Sequence, residues 1–194
     1  MQHNIYLAGV GGQGVVRLSE IIAGYAMKKN EKVKFYKEIG LAQRGGPVHC
    51  EVRIGKVFGP RIPPLSSDVM VIMELSEVLK ALELIKPKGM VILNRKRVYP
   101  IDMMVHPERY PKEEEILKLL KDAKAEIIWI DAEKIASKIG LPIAENIVLL
   151  GVLSFVSSFD KKCIIDVLRK NIPRKIDKNI SAFNRGYEAV NPIR

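Results

Sequence analysis

The chain has 194 residues, room for one domain with a sizeable core, and carries 32 Lys and Arg against 22 Asp and Glu, a formal net charge of +10. Its ordinary apolar content excludes a disordered or fibrous chain, and its longest apolar run, residues 147–156, is too short to span a bilayer. The N-terminal residues lack the basic-then-apolar pattern of a signal peptide, so the expected location is the cytoplasm.

Residues 5–7 form a short apolar run that predicts a buried strand, the first of a parallel sheet. Gly9, Gly11, Gly12 and Gly14 crowd the turn that follows. Val15 then opens a helix with Leu18, Ile21, Ile22, Tyr25 and Ala26 on one face. Residues 33–36 predict a second strand and 39–47 a glycine-rich loop. The alternating stretch 48–54 predicts a strand with one polar face, and residues 56–58 are read as its hairpin partner. Pro60, Pro63 and Pro64 mark an extended loop.

A continuous apolar strand follows Asp68, then a helix over 74–85 stopped by Pro87 and Gly89, then a strand over 90–93. Residues 94–111 are basic and proline-punctuated, read as an excursion over the sheet edge. A helix over 112–122, a strand over 127–130 and a helix over 132–139 capped by Asp131 come next. Three C-terminal helices are expected at 143–157, 160–170 and 179–189, the first apolar nearly all round and therefore buried. The pattern predicts a single-domain α/β fold over 1–194. Its mostly parallel sheet has a Rossmann-like start, flanking helices, a β-hairpin insertion and C-terminal helices.

The two cysteines, Cys50 and Cys163, cannot alone build a four-cysteine iron–sulfur or zinc site. His3, His49 and His106 are scattered and read as surface or structural residues. The basic charge lacks a stripe with interleaved aromatics, so no nucleic-acid partner is expected. It fits a solvated Lys- and Glu-rich surface, with an acidic partner or a polyphosphate ligand as the further reading. No serine-nucleophile elbow, phosphate loop with Gly-Lys-Ser/Thr or zinc-protease helix motif occurs.

Strand, glycine turn and helix together form a place for an anion, because glycines let backbone N–H groups approach a ligand at a helix N-terminus. The glycines alternatively serve only a tight turn. A dinucleotide site needs an acidic residue closing the second strand. Glu38 stands near that place but leads into a second glycine cluster, which is not how a standard second crossover begins. The other standout is Gln43-Arg44-Gly45-Gly46, where an Arg among glycines can grip a carboxylate or phosphate. The two clusters are expected to meet at the carboxyl end of the sheet. Arg53 shares the strand parity of His49 and Glu51.

Gly9-Val-Gly-Gly-Gln-Gly14, Ala42-Gln-Arg-Gly-Gly46 with Val52-Arg-Ile54, and Ser67-Asp68 before an apolar strand resemble the gamma-type domain of 2-oxoacid:ferredoxin oxidoreductases. Later matches, among them Asn94, Tyr110-Pro111, Asp131-Ala132, Asn146 with Leu150-Gly151, and Ala182-Phe183 with Gly186, resemble the indolepyruvate type most. The resemblance implies a subunit of an enzyme that oxidatively decarboxylates aryl pyruvates to acyl-CoA and reduces ferredoxin. A gamma subunit of a pyruvate or 2-oxoglutarate enzyme is the alternative, and a stand-alone nucleotide-binding sensor the rival of another class. It implies no cofactor on this chain alone. Thiamine diphosphate and [4Fe-4S] clusters would lie on the large partner subunit, and coenzyme A would be the co-substrate. The contact residues it implies are Gly9, Gly11, Gly12, Gln13, Gly14, Gln43, Arg44, Gly45 and Gly46. Arg17, where the family often has a small or hydroxyl residue, departs from the pattern.

Overall fold

In the computed structural model, which describes residues 2–40 and 45–190, the chain folds around a six-stranded sheet. Strand β1 (His3–Val10) is buried on both faces, as its unbroken apolar run requires. Ile5 and Leu7 enter one core and Tyr6 and Ala8 the other. The remaining strands are β2 (Val33–Ile39), β3 (Pro47–Ile54), β4 (Ser67–Ile72), β5 (Ile85–Asn94) and β6 (Glu126–Ile130). They lie in the order β2-β3-β1-β4-β5-β6. β3 runs antiparallel to both β1 and β2, whereas β1, β4, β5 and β6 are mutually parallel.

One face is covered by α1 (Val15–Lys28), α5 (Ala132–Lys138), α6 (Glu145–Val156), α7 (Lys161–Asn171) and α8 (Ile176–Glu188). The other face carries the single turn α2 (Val78–Ala81) and α4 (Glu113–Asp122), with Ile116 and Leu120 inward. A short helix, α3 (Ile101–Val105), stands between β5 and α4. The caps read from sequence form: Asp131 accepts from the Lys134 N–H at 2.9 Å and Asp160 from the Cys163 N–H at 3.1 Å.

Four expectations change. The hairpin partner of β3 is β2, paired from Val33↔Ile54 to Ile39↔Val48, and residues 56–58 form no strand. The loop after Gly55 instead folds back under Arg53, whose guanidinium donates to the carbonyls of Gly59 (3.0 Å) and Arg61 (2.8 Å). The helix expected over 74–85 is only the turn α2 between 3-10 turns at Leu75–Glu77 and Leu82–Leu84, and β5 already begins at Ile85. Pro87 and Gly89 sit inside β5, where the ladder to β4 skips from Ser67↔Ile85 to Val69↔Met90. Proline is tolerated there because an irregular stretch asks for no ladder N–H. Residues 94–111 cross the carboxyl ends of the strands rather than the sheet edge, since Val98 bonds to Glu74 after β4 and Ile101 to Gly45.

α6 is buried nearly all round, as its composition predicts, because α8 lies directly on it. Glycine makes this approach possible. A β-carbon at Gly151 would strike the Phe183 carbonyl, and one at Gly186 the Val148 carbonyl. Gly186→Ala is therefore expected to cost about 3 kcal/mol, at the top of the usual overpacking range, because backbone rather than a flexible side chain must move. Gly59→Ala, where a β-carbon meets open space, is the control and should stay within about 0.5 kcal/mol. Urea unfolding of both variants checks this, and a Gly186→Ala chain as stable as the control would contradict the crossing.

Candidate functional site

The carboxyl ends of β1, β4 and β5 form one rim, where open α/β sheets place their sites. The two glycine clusters meet there through backbone bonds. The Gly11 N–H donates to the Gly46 carbonyl (2.8 Å), the Gly45 N–H to the Gly11 carbonyl (3.2 Å), and the Ile101 N–H to the Gly45 carbonyl (3.1 Å).

Gln13 fixes the turn from inside. Its Oε1 accepts from the Val10 N–H (2.8 Å) and its Nε2 donates to the Met73 carbonyl (3.1 Å), tying the ends of β1 and β4. Gly9 leaves room for that amide, since a β-carbon there would stand 2.5 Å from Gln13 Oε1. Gly14, at φ +82°, is the N-cap of α1, and a β-carbon there would stand 2.5 Å from the Asn146 amide nitrogen. Gly12, at φ +103°, is exposed, with open space where a side chain would be.

As an anion cradle the turn is partly spent, because the Gly11 and Gln13 N–H groups already bond to Gly46 and Val10. What remains for a ligand or partner is the open crest at Gly12. The N-terminus of α1 has neither a side-chain cap nor an acidic residue in its first turn, leaving its dipole uncompensated by either. Arg17 points elsewhere, to Glu20 and the Asn171 carbonyl. Of the residues expected at the site, Gly9, Gly11, Gly12, Gln13, Gly14, Gly45 and Gly46 are brought together. Gln43 and Arg44 lie outside the described residues.

A residue that sequence reasoning assigned to a helix start anchors the rim. Glu74 is fully buried just beyond β4. Its carboxylate accepts from the Tyr110 hydroxyl (2.6 Å), the Val98 N–H (2.6 Å) and the Ser76 N–H (3.3 Å). Burial, reinforced by Glu74, pushes the Tyr110 phenol well up. The available signal was an acid ending an apolar strand on the carboxyl side. Asn94, buried at the end of β5, accepts from the Ala132 N–H (3.2 Å). Lys96 pairs with Glu145 (2.6 Å) and Glu133 (3.0 Å), and Arg97 with Glu113 (3.3 Å). Burial alone would lower the Lys96 pKa, but the two carboxylates outweigh it and the pKa rises. The basic 95–97 segment is thus largely engaged within the chain.

A second polar cluster occupies a hollow of about 410 Å³ beside β2 and β3. The fully buried Glu51 accepts from the Ile62 N–H and faces Arg61 Nε at 2.8 Å, an ion pair without hydrogen-bond alignment. His49 stacks on Tyr6 with centroids 5.5 Å apart, and burial lowers its pKa. Glu38 belongs here, 3.6 Å from His49, on the sheet face away from α1. With β3 between β2 and β1, Glu38 cannot serve as the ribose acid of a dinucleotide site at the glycine turn. A larger hollow of about 600 Å³ lies between α5 and α8 and includes no residue of the glycine clusters. Cys50 and Cys163 are both buried, and no group of three metal-binding side chains occurs among the described residues. Nor is any helix among them long and apolar enough to cross a membrane.

Residues 4–189 match the family model described as pyruvate ferredoxin/flavodoxin oxidoreductase. The chain is 38% identical to the indolepyruvate oxidoreductase subunit IorB of Methanothermobacter thermautotrophicus, covering 98% of each. It is 27% identical to the pyruvate/ketoisovalerate oxidoreductases common subunit gamma of Pyrococcus furiosus, covering 93% of this chain and 92% of that one. The fold is similar to the pyruvate oxidoreductase subunit PORC of Thermotoga maritima (TM-score 0.76, 24% identity, 100% of this chain and 99% of that one). It is also similar to the 2-oxoglutarate:ferredoxin oxidoreductase of Magnetococcus marinus, solved with 2-oxoglutarate, coenzyme A and succinyl-CoA bound. There the TM-score is 0.77 at 19% identity, over 99% of this chain but 32% of that one.

The double engagement of the Gln13 amide gives an isosteric test. Gln13→Glu can still accept from Val10 but sets a carboxylate against the Met73 carbonyl. Both Gln13→Glu and Gln13→Ala are expected to cost about 1–3 kcal/mol, the range for an orphaned buried group. Amide hydrogen exchange across 9–14 should accelerate in both. A Gln13→Glu chain with wild-type stability and exchange would show that the amide does not hold the turn.

Proposed function

We infer that this chain, which belongs to the pyruvate ferredoxin/flavodoxin oxidoreductase family, is the small subunit of a thiamine-dependent 2-oxoacid:ferredoxin oxidoreductase of the indolepyruvate type. The observation that carries the reading is the 32–38% identity to four indolepyruvate oxidoreductase subunits over nearly the whole of both chains, against 26–30% to gamma subunits of the pyruvate/ketoisovalerate type. The reaction is oxidative decarboxylation of an aryl pyruvate to its acyl-CoA, with the released electrons passed to ferredoxin. Thiamine diphosphate on the large subunit supplies the carbanion chemistry of the decarboxylation. Iron–sulfur clusters there carry the electrons, a division that fits a chain with two buried cysteines. The complex works in the cytoplasm.

The glycine rim is this chain's part of that machinery. We assign the contact with coenzyme A and the thiamine-bearing subunit to Gly11, Gly12, Gly14, Gln43, Arg44, Gly45 and Gly46, with the buried Gly9 and the half-buried Gln13 holding the turn beneath them. The open crest at Gly12 lets backbone be approached closely, and Arg44 offers a fork for a phosphate or carboxylate. Gln13, already committed at both ends, positions the turn rather than touching a ligand.

Affinity purification of the tagged chain from its native cell should bring down a larger subunit with iron and thiamine diphosphate. In that complex Arg44→Ala should raise the KM for coenzyme A or the 2-oxoacid several-fold. Recovery of the chain alone, binding a nucleotide tightly, would contradict the subunit reading. Unchanged KM values in an intact complex would contradict the role of the loop alone.

A further inference from the structure

Resting on the subunit reading, we propose that α3, with Tyr99 before it, is an apolar anchor covered by the large subunit of the same oxidoreductase. Ile101, Met104 and Val105 stand at i, i+3 and i+4, the spacing of one helix face, and are 44%, 63% and 69% exposed. A surface helix ordinarily turns that stripe into the core; here it faces solvent. Scattered exposed apolar residues need no explanation, but three on one face of a short helix, with Tyr99 two residues before it 39% exposed, are not scattered.

The patch is held in place. The Ile101 N–H bonds to the Gly45 carbonyl, the Met103 and Met104 N–H groups to the Pro100 carbonyl (both 2.9 Å), and Tyr99 packs on Tyr110 with centroids 4.4 Å apart. Gly45 is in turn bonded to Gly11, so the patch adjoins the glycine rim, and a body covering one reaches the other.

Two observations choose the occupant. In the Magnetococcus marinus enzyme the similar fold is about a third of one longer chain, 32%, so further polypeptide is tethered to it there. A second copy is disfavoured because each chain carries a net charge of +10 and two would repel.

The test uses the co-expressed two-subunit complex. Met104→Lys with Val105→Glu is expected to weaken the affinity for the large subunit at least tenfold while the free variant melts at the wild-type temperature. Met104→Leu with Val105→Ile should bind as wild type does. Should the charged variant fail to fold, hydrogen exchange on the wild-type chain decides. Amides across 99–105 should exchange at least tenfold more slowly in the complex than in the free chain. Undiminished affinity in the folded charged variant, unprotected amides, or a wild-type homodimer that the charged variant splits would each overturn the anchor. Wild-type chain that captures no large subunit would instead remove the subunit reading beneath it.

Discussion

A pair of backbone hydrogen bonds between Gly11 and the Gly45-Gly46 segment closes the rim on which the rest of the site depends. It joins the turn after β1 to the loop between β2 and β3. Only because β3 is inserted antiparallel beside β1 does that loop arrive at the carboxyl end of the parallel strands. A third bond, from Ile101 to Gly45, adds α3 to the same assembly. Backbone makes these bonds, and of the glycines bonded in them Gly45, at φ +74° with Ile101 against the place of a β-carbon, is one the approach requires.

Beneath the rim, Glu74, Gln13 and Asn94 each find partners for their polar groups. Glu74 sits at the end of β4 with its carboxylate surrounded by Tyr110, Val98 and Ser76, and so holds the 94–111 segment across the strand ends. Gln13 ties β1 to β4, and Asn94 ties β5 to the start of α5. A buried polar group left unpaired costs more than the paired group gains, so such ties give the rim one arrangement rather than several. On the far face, the glycine crossing of α6 and α8 fixes the layer against which α1 packs.

Much of this was legible in the residues. The apolar run 5–7, the glycines after it and the helical spacing from Val15 gave β1, its turn and α1, because each signal is local. The alternation of 48–54 gave β3, and the polar parity of His49, Glu51 and Arg53 does face one side of the sheet. What the residues could not give is pairing at a distance. β3 finds β2 rather than residues 56–58, because β2 extends to Ile39 and supplies a full ladder. Gln13 finds Met73, 60 positions away, and Glu74 finds Tyr110, 36 positions away. The irregular pairing that admits Pro87 to β5 likewise depends on its neighbour β4. α3 went unnoticed because its five residues stand among prolines and leave their apolar stripe outside the core.

The chain belongs to a family of multi-subunit 2-oxoacid oxidoreductases, and the function proposed for it puts the chemistry on its partner and aryl pyruvates in the site. The most direct measurement is coenzyme A-dependent reduction of ferredoxin by the purified two-subunit complex, with indolepyruvate, pyruvate and 2-oxoglutarate compared by kcat/KM. Indolepyruvate is expected to be favoured by at least tenfold over both others. A complex that prefers pyruvate or 2-oxoglutarate, or is silent toward all three with its thiamine diphosphate and iron in place, would contradict the proposed function.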